Sequence, residues 1–251
     1  MSVNVKYKNN SIAELTDTGT KTLKTAGKYC EADIVIENTK DGGTDAEDGI
    51  VARTIMTYTN NRVQFIGAYA LCNCSKLTSV DFPAATTIGD SAFSSCSALT
   101  NVALPAAITI RSYAFSSCSN LTSIALPAAT TIGSSAFSSC SKLTSVDFPA
   151  ATTIGNSAFY GCSKLTSVDF PAATTIGNSA FYGCSKLTSV VLRKTDTICE
   201  LSGTSVFNNT PIKSGTGYIY VPDALVDQYK AATNWSTYAA NIKPLSEYTE
   251  V

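Results

Sequence analysis

The sequence predicts a repeat solenoid, a β-rich stack of 22-residue coils with a small β unit before it and a capping helix behind it. Leu77, Leu99, Leu121, Leu143, Leu165 and Leu187 recur every 22 residues without an insertion. Pro83, Pro105, Pro127, Pro149 and Pro171 fall six residues after the first five of these leucines. Two consecutive copies, 143–164 and 165–186, are identical at all 22 positions. A unit this short cannot bury its own apolar face, so each coil must stack on its neighbour.

Residues 1–38 read as a small β unit, with alternation at Val3, Val5 and Tyr7, a turn at Asn9-Asn10 and a second strand at Ile34–Ile36. A unit this small rarely builds a sufficient core. It is expected either to dock on the solenoid or to be completed by another chain, which would make it the place of oligomerisation. Residues 39–49, with Asp41-Gly42-Gly43 and the acidic stretch from Asp45 to Asp48, hold no apolar residue larger than Ala46 and read as an exposed, flexible linker. The solenoid runs over 50–192 and includes a degenerate first coil. In that coil Ile55, Tyr58 and Ile66-Gly67 align with Leu77, Val80 and Ile88-Gly89, and Asn60-Asn61 replaces a Phe-Pro pair.

Within one coil, Leu99–Leu104 reads as a strand, because inward Val102 and Leu104 alternate with Asn101 and Ala103; Pro105 ends it. The Thr-Thr-Ile-Gly stretches (Thr86–Gly89, Thr130–Gly133, Thr152–Gly155, Thr174–Gly177) predict a second, shorter β segment. It closes at a glycine turn of preferred left-handed backbone, with Arg111 standing for the glycine in one copy. Ser157–Phe159 and its equivalents predict a short helical turn, with Phe93, Phe115, Phe137, Phe159 and Phe181 stacked as an aromatic spine. Residues 193–251 form a degenerate last coil, marked by Val206-Phe207 and Tyr218–Pro222, and a cap. There Asp223 is expected to N-cap a helix over 224–232, with Leu225, Tyr229 and Trp235 lying on the last coil.

Composition excludes several functions. A formal charge of −1 with 15% charged residues gives no basic field, so no nucleic-acid partner is expected. Met1–Asn10 lacks the apolar core of a signal peptide, and no apolar run reaches membrane-spanning length, so no membrane insertion is expected. The chain has no His, which removes the commonest general base. Asp81, Asp147 and Asp169 occupy one repeated position instead of a unique cleft, so no catalytic residue and no cofactor is assigned.

Six of the nine cysteines, Cys74, Cys96, Cys118, Cys140, Cys162 and Cys184, recur every 22 residues. Parallel side chains on stacked coils hold their Cβ atoms about 5 Å apart, beyond the ~3.5–4.5 Å of a disulfide. They read as reduced, buried thiols acting as small hydrophobes. Cys72-Asn73-Cys74 is a lone close pair and predicts no metal site.

The candidate binding surface is the outward face of the first strands. It carries Ser79 and Asp81, Asn101, Ser123, Ser145 and Asp147, Ser167 and Asp169, with Ala103, Ala125, Ser189 and Val191 completing the pattern. Small polar groups dominate it and the aromatic and Arg anchors of binding hot spots are absent, so a merely solvated face is the competing reading. Asp147 and Asp169 would form a like-charge pair, and two carboxylates fall short of a calcium shell. Tyr160 and Tyr182 stand where another coil has Ser138, an exposed aromatic pair able to stack on a sugar; packing over Gly161 and Gly183 is the plainer explanation.

The run Ile-Gly-x-x-Ala-Phe-x-x-Cys-x-x-Leu-Thr-x-Val-x-Phe-Pro, from Ile154 to Pro171, resembles the BspA-type leucine-rich repeat of bacterial surface proteins. The stretch Tyr220–Pro244 is similar to the end of such chains through Val221-Pro222-Asp223, Tyr229-Lys230 and Trp235. Ser2–Asn38 is similar to amino-terminal pieces of repeat proteins encoded by phages and prophages of gut bacteria. The resemblance implies a leucine-rich-repeat coil stack and a role in adhesion or recognition, not a reaction. It also implies a protein or glycan ligand on a bacterial surface and an extracellular, cell-surface or virion-associated location. A structural spacer without a specific ligand is the alternative.

Overall fold

A computed structural model of the chain describes residues 2–7, 12–16, 21–25, 34–38, 55–59 and 63–249. The turn at Asn9-Asn10, the linker over 39–49 and Asn60-Asn61 lie outside these residues. Four strands come first: β1 (Ser2–Tyr7), β2 (Ile12–Thr16), β3 (Lys21–Thr25) and β4 (Ile34–Asn38). The sequence predicts two of them, β1 and β4. In the coils a longer strand alternates with a shorter one, of two residues in every coil after the first. These are β5 (Ile55–Thr59), β6 (Val63–Ile66), β7 (Ser79–Asp81), β8 (Thr87–Ile88), β9 (Asn101–Ala103), β10 (Thr109–Ile110), β11 (Ser123–Ala125) and β12 (Thr131–Ile132). The series continues with β13 (Ser145–Asp147), β14 (Thr153–Ile154), β15 (Ser167–Asp169), β16 (Thr175–Ile176), β17 (Ser189–Val191) and β18 (Glu200–Leu201).

The short strands form one unbroken sheet in the order β18-β16-β14-β12-β10-β8-β6-β3-β4, parallel from β18 to β3. The long strands form three pieces, β2-β1-β5-β7-β9, β11-β13 and a last one that begins β15-β17. The first coil is as read, with Tyr58 opposite Val80 and Ile66 opposite Ile88. β1 adds antiparallel to β5 and β3 adds parallel to β6, so the amino-terminal strands extend both sheets.

Between the sheets lies one continuous core. In each coil Leu, Ile, Phe, Cys and two Ala are essentially inaccessible, as Leu143, Ile154, Phe159, Cys162, Ala151 and Ala158 illustrate. The phenylalanine spine is present: successive rings from Phe93 to Phe181 stack at 5.0–5.5 Å, and Phe207 continues the column at 5.6 Å. Pro83 stands second in a turn closed by the Ala85 N–H to the Phe82 carbonyl, the position its fixed φ suits.

Two local expectations are overturned. The Ser-Ala-Phe segment is a pair of β-turns, not a helical turn. Ala92 N–H donates to the Gly89 carbonyl and Cys96 N–H to that of Phe93, and the third residues of these turns, Ser91 and Ser95, have φ of 54° and 60°. The intervening N–H groups of Ser91, Phe93 and Ser95 donate to carbonyls of the next coil, a third inter-coil ladder. The left-handed residues of these turns are therefore mostly serines, together with Tyr69, Asn73, Tyr113, Gly161, Gly183 and Asn209, and the glycine of Thr-Thr-Ile-Gly has no positive φ. That glycine is required by crowding, because a Cβ on Gly177 would lie 2.4 Å from the Asn156 nitrogen of the coil before.

The carboxyl-terminal region closes the stack. After α1 (Pro211–Ser214), β19 (Tyr218–Val221) pairs with β17 and β20 (Ile242–Pro244) with β19. The expected helix is a 3-10 turn, Asp223–Leu225, leading into α2 (Val226–Ala231). Asp223 does not cap it; its carboxylate accepts the Ser246 N–H at 3.1 Å. Leu225, Tyr229 and Trp235 are buried on the last coil as expected. Their role is more specific than packing, because β18 is an open edge whose backbone groups would otherwise be bare. Tyr229 Oη accepts the Cys199 N–H at 2.8 Å, while Trp235 Nε1 donates to the Cys199 carbonyl at 2.6 Å. Asn234 Nδ2 donates to the Leu201 carbonyl at 2.7 Å.

Candidate functional site

The long-strand ribbon places the sequence-predicted residues in two rows. Ser79 lies opposite Asn101, Ser123 opposite Ser145 and Ser167 opposite Ser189, while Asp81 faces Ala103, Ala125 faces Asp147 and Asp169 faces Val191. Ser79, Asp81, Asn101 and Ser123 are brought together around a shallow depression of about 430 Å³. Its floor is Val102, Ala103, Ile124 and Ala125, where two successive coils have Ala in place of Asp. It spans the first interruption of the ribbon, between β9 and β11, and Val102 beneath is only partly buried. Ser145, Asp147, Ser167 and Asp169 lie beyond it. Asp147 is exposed, and Asp169 is held by Arg193, whose Nε is 2.7 Å from Oδ2.

The expectation that the ribbon lacks aromatic and cationic anchors fails at its carboxyl-terminal end. Tyr218 continues the serine row and Tyr220 and Lys243 the aspartate row. Lys243 Nζ sits 4.3 Å from the Tyr218 ring, Tyr248 lies 5.0 Å from Tyr220, and Arg193 is 5.8 Å from the Tyr248 ring. Reading Tyr218–Pro222 in register with the repeats would have placed both tyrosines outward. Tyr160 and Tyr182 form a separate platform on the turn side, stacked at 5.0 Å and 5°. Gly161 and Gly183 beside them have φ of 71° and 75°, so they supply a left-handed backbone that serine supplies elsewhere.

The cysteine ladder differs from a row of plain hydrophobes. Each thiol from Cys96 to Cys184 donates to a backbone carbonyl of the preceding coil; Cys118, Cys140, Cys162 and Cys184 reach the carbonyls of Phe93, Phe115, Phe137 and Phe159 at 3.1–3.2 Å. Burial pushes the Cys140, Cys184 and Cys199 thiols up to about 12. A protonated, buried thiol is neither a nucleophile nor a metal ligand. Among the described residues no three His, Cys, Asp or Glu side chains converge as a metal site, and no helix is long and apolar enough to cross a membrane.

The family profile described as the BspA type leucine rich repeat region matches in six copies, over residues 54–151 and 109–222. The chain belongs to the BspA-type leucine-rich repeat family. Solved structures agree on the fold of this BspA-type repeat protein. A leucine-rich cell surface protein of Faecalibacterium prausnitzii A2-165 is 24% identical with a TM-score of 0.50, over 77% of this chain and 53% of its own. The leucine-rich repeat protein of T. pallidum is 23% identical with a TM-score of 0.54, over 69% and 81%. The BspA-type chain thus spans about half the length of the F. prausnitzii protein. A comparison with curated proteins finds no match. The matched family and structures are repeat proteins, not enzymes.

Proposed function

We propose that this protein is a non-enzymatic recognition module that presents its long-strand ribbon to a protein or glycan ligand on a bacterial surface, held in place through its amino-terminal strands. One observation carries the reading: over coils 77–98, 99–120 and 121–142 the ribbon holds a shallow depression of about 430 Å³, at the place where its strand pairing is interrupted between β9 and β11. The second interruption, between β13 and β15, is flanked by the Asp169–Arg193 pair instead. Ala103 and Ala125 leave room for a ligand, and Asp81, Asn101, Ser79 and Ser123 offer it donors and acceptors around that room. Family membership and the surface location of the F. prausnitzii neighbour support adhesion.

The test is binding of the full chain to bacterial cells and to a glycan array, compared with Ala125→Arg. Ala125 is exposed, so the variant fills the depression without disturbing the core. A tenfold or greater loss at unchanged Tm supports the reading. Equal binding by both proteins, or none by the parent, overturns it.

A further inference from the structure

One coil departs from its neighbours in a way that stacking does not reward. In coil 99–120, Ile108 replaces the threonine whose Oγ1 elsewhere donates to the coil before, as Thr86, Thr130, Thr152 and Thr174 do. Arg111 replaces the glycine of the crowded slot, where a Cβ on Gly89 or Gly133 would lie 2.6 Å from backbone. Tyr113 replaces a serine at a positive φ, 58°, a conformation in which a bulky side chain is an outlier. Each change gives up a hydrogen bond, space or backbone ease. All three side chains nevertheless stand on the surface: Ile108 is 46% exposed, Tyr113 51% and the Arg111 side chain 58%.

Local rules broken together, with only a loose Arg111–Asp90 contact in return, mark a functional surface. Phe65 and Tyr69, both about half exposed, lie on the same side two coils earlier, Phe65 in the row of Thr109. Tyr69 shares with Tyr113 the strained left-handed backbone, at φ 60°. Four of the five large hydrophobic side chains exposed among the described residues therefore fall along one stretch of the coil, Phe65 and Ile108 in or beside the short strands and Tyr69 and Tyr113 in the turn that follows them. Arg111 provides the charge, with one loose contact to Asp90 at 3.8 Å.

We propose that this stretch is a second interaction surface, distinct from the ribbon, and that its partner is a protein presenting a carboxylate beside apolar side chains. Arg and Tyr are the residues that dominate protein-protein hot spots. The guanidinium fork selects a carboxylate geometrically. Ile108 offers branched aliphatic area that a hydroxyl-rich sugar would leave unmatched, and with Arg111 beside it this favours protein over glycan.

The test returns coil 99–120 to the pattern of its neighbours in the full chain, with the triple variant Ile108→Thr, Arg111→Gly, Tyr113→Ser. The probe is an array of 15-residue peptides in which Leu and Phe are combined with Glu, with Lys or with Ser. The parent is expected to bind the Glu series, and the variant to lose at least tenfold while melting at a higher temperature. Ala125→Arg is expected to leave this peptide binding unchanged, which separates the surface from the ribbon. Failure of the parent to prefer the Glu series, or equal binding by the variant, overturns the proposal. So does loss of glycan binding in the variant with peptide binding intact.

Discussion

The thiols of the cysteine ladder show how a single residue type serves both packing and backbone satisfaction. Desolvation raises their pKa, to about 12 for Cys140 and Cys184 against an ordinary value near 9. Between those values the folded chain holds protons that the unfolded chain has released. This stability is therefore fully present below pH 9 and lost as pH rises toward 12. Each such thiol contributes a slope of about 1.4 kcal/mol per pH unit in that window. Urea midpoints are expected to stay flat from pH 7 to 8.5 and to fall steeply above 9. In native protein at pH 8, iodoacetamide should leave Cys140, Cys162 and Cys184 unmodified, and all three should react once urea unfolds the chain. Early labelling of these residues would show that the ladder breathes. The ladder itself was legible from the 22-residue spacing. Its carbonyl acceptors were not, because which backbone group a thiol meets depends on the turn that precedes it.

At the scale of the turn, sequence misassigned the left-handed positions for a physical reason. Glycine is the usual signal of positive φ, and here the coil uses serine at that conformation and glycine for close approach. Two substitutions separate these causes. Gly161 has positive φ, yet a Cβ there would meet nothing nearer than Ser139 Oγ at 3.9 Å. Gly161→Ala is expected to lose about 1 kcal/mol, the ordinary penalty of a left-handed alanine. Gly177→Ala should lose more, about 2–4 kcal/mol, since the added Cβ collides with backbone that two ladders fix. Ser139→Gly, at φ 61°, should be neutral or stabilising. Denaturant midpoints at constant m-value give the three numbers, and an equal loss for both glycines would mean that crowding is relieved by a coil shift.

A solenoid has two ends, and the whole molecule depends on how they are closed. Here side chains stand in for a missing strand: Tyr229, Asn234 and Trp235 take up the edge groups of β18. Trp235→Phe keeps an aromatic ring but removes the donor to the Cys199 carbonyl and part of the buried indole, a loss of about 2–3 kcal/mol. Trp235→Ala removes the whole buried indole, about 3–5 kcal/mol. It also exposes an edge competent to pair with another chain. Sedimentation velocity should find larger species for the alanine variant and not for the phenylalanine variant. Sequence placed Trp235 on the last coil, but its hydrogen bond needed the register of β18, hidden by the loop insertion before it.

The identity of coils 143–164 and 165–186 permits a deletion without a sequence scar, since removing either leaves the same chain. Every inter-coil ladder is re-formed by identical partners, and terminal caps are untouched, so the shortened protein should fold with a modestly lower Tm. The deletion removes one of the two stacked tyrosines and shortens the ribbon, but leaves the depression over 79–125 whole. Three modes of recognition then give three results on the same cells and glycan array. A ligand seated in the depression keeps its affinity. One that reads the repetitive ribbon loses a few-fold, in proportion to length. A sugar stacked on the Tyr160–Tyr182 platform loses binding sharply, and Tyr160→Ser in the full-length chain should reproduce that loss. The depression is expected to prevail, because there two successive regular coils carry Ala103 and Ala125 in place of the aspartate, and a uniform surface offers a ligand no unique register.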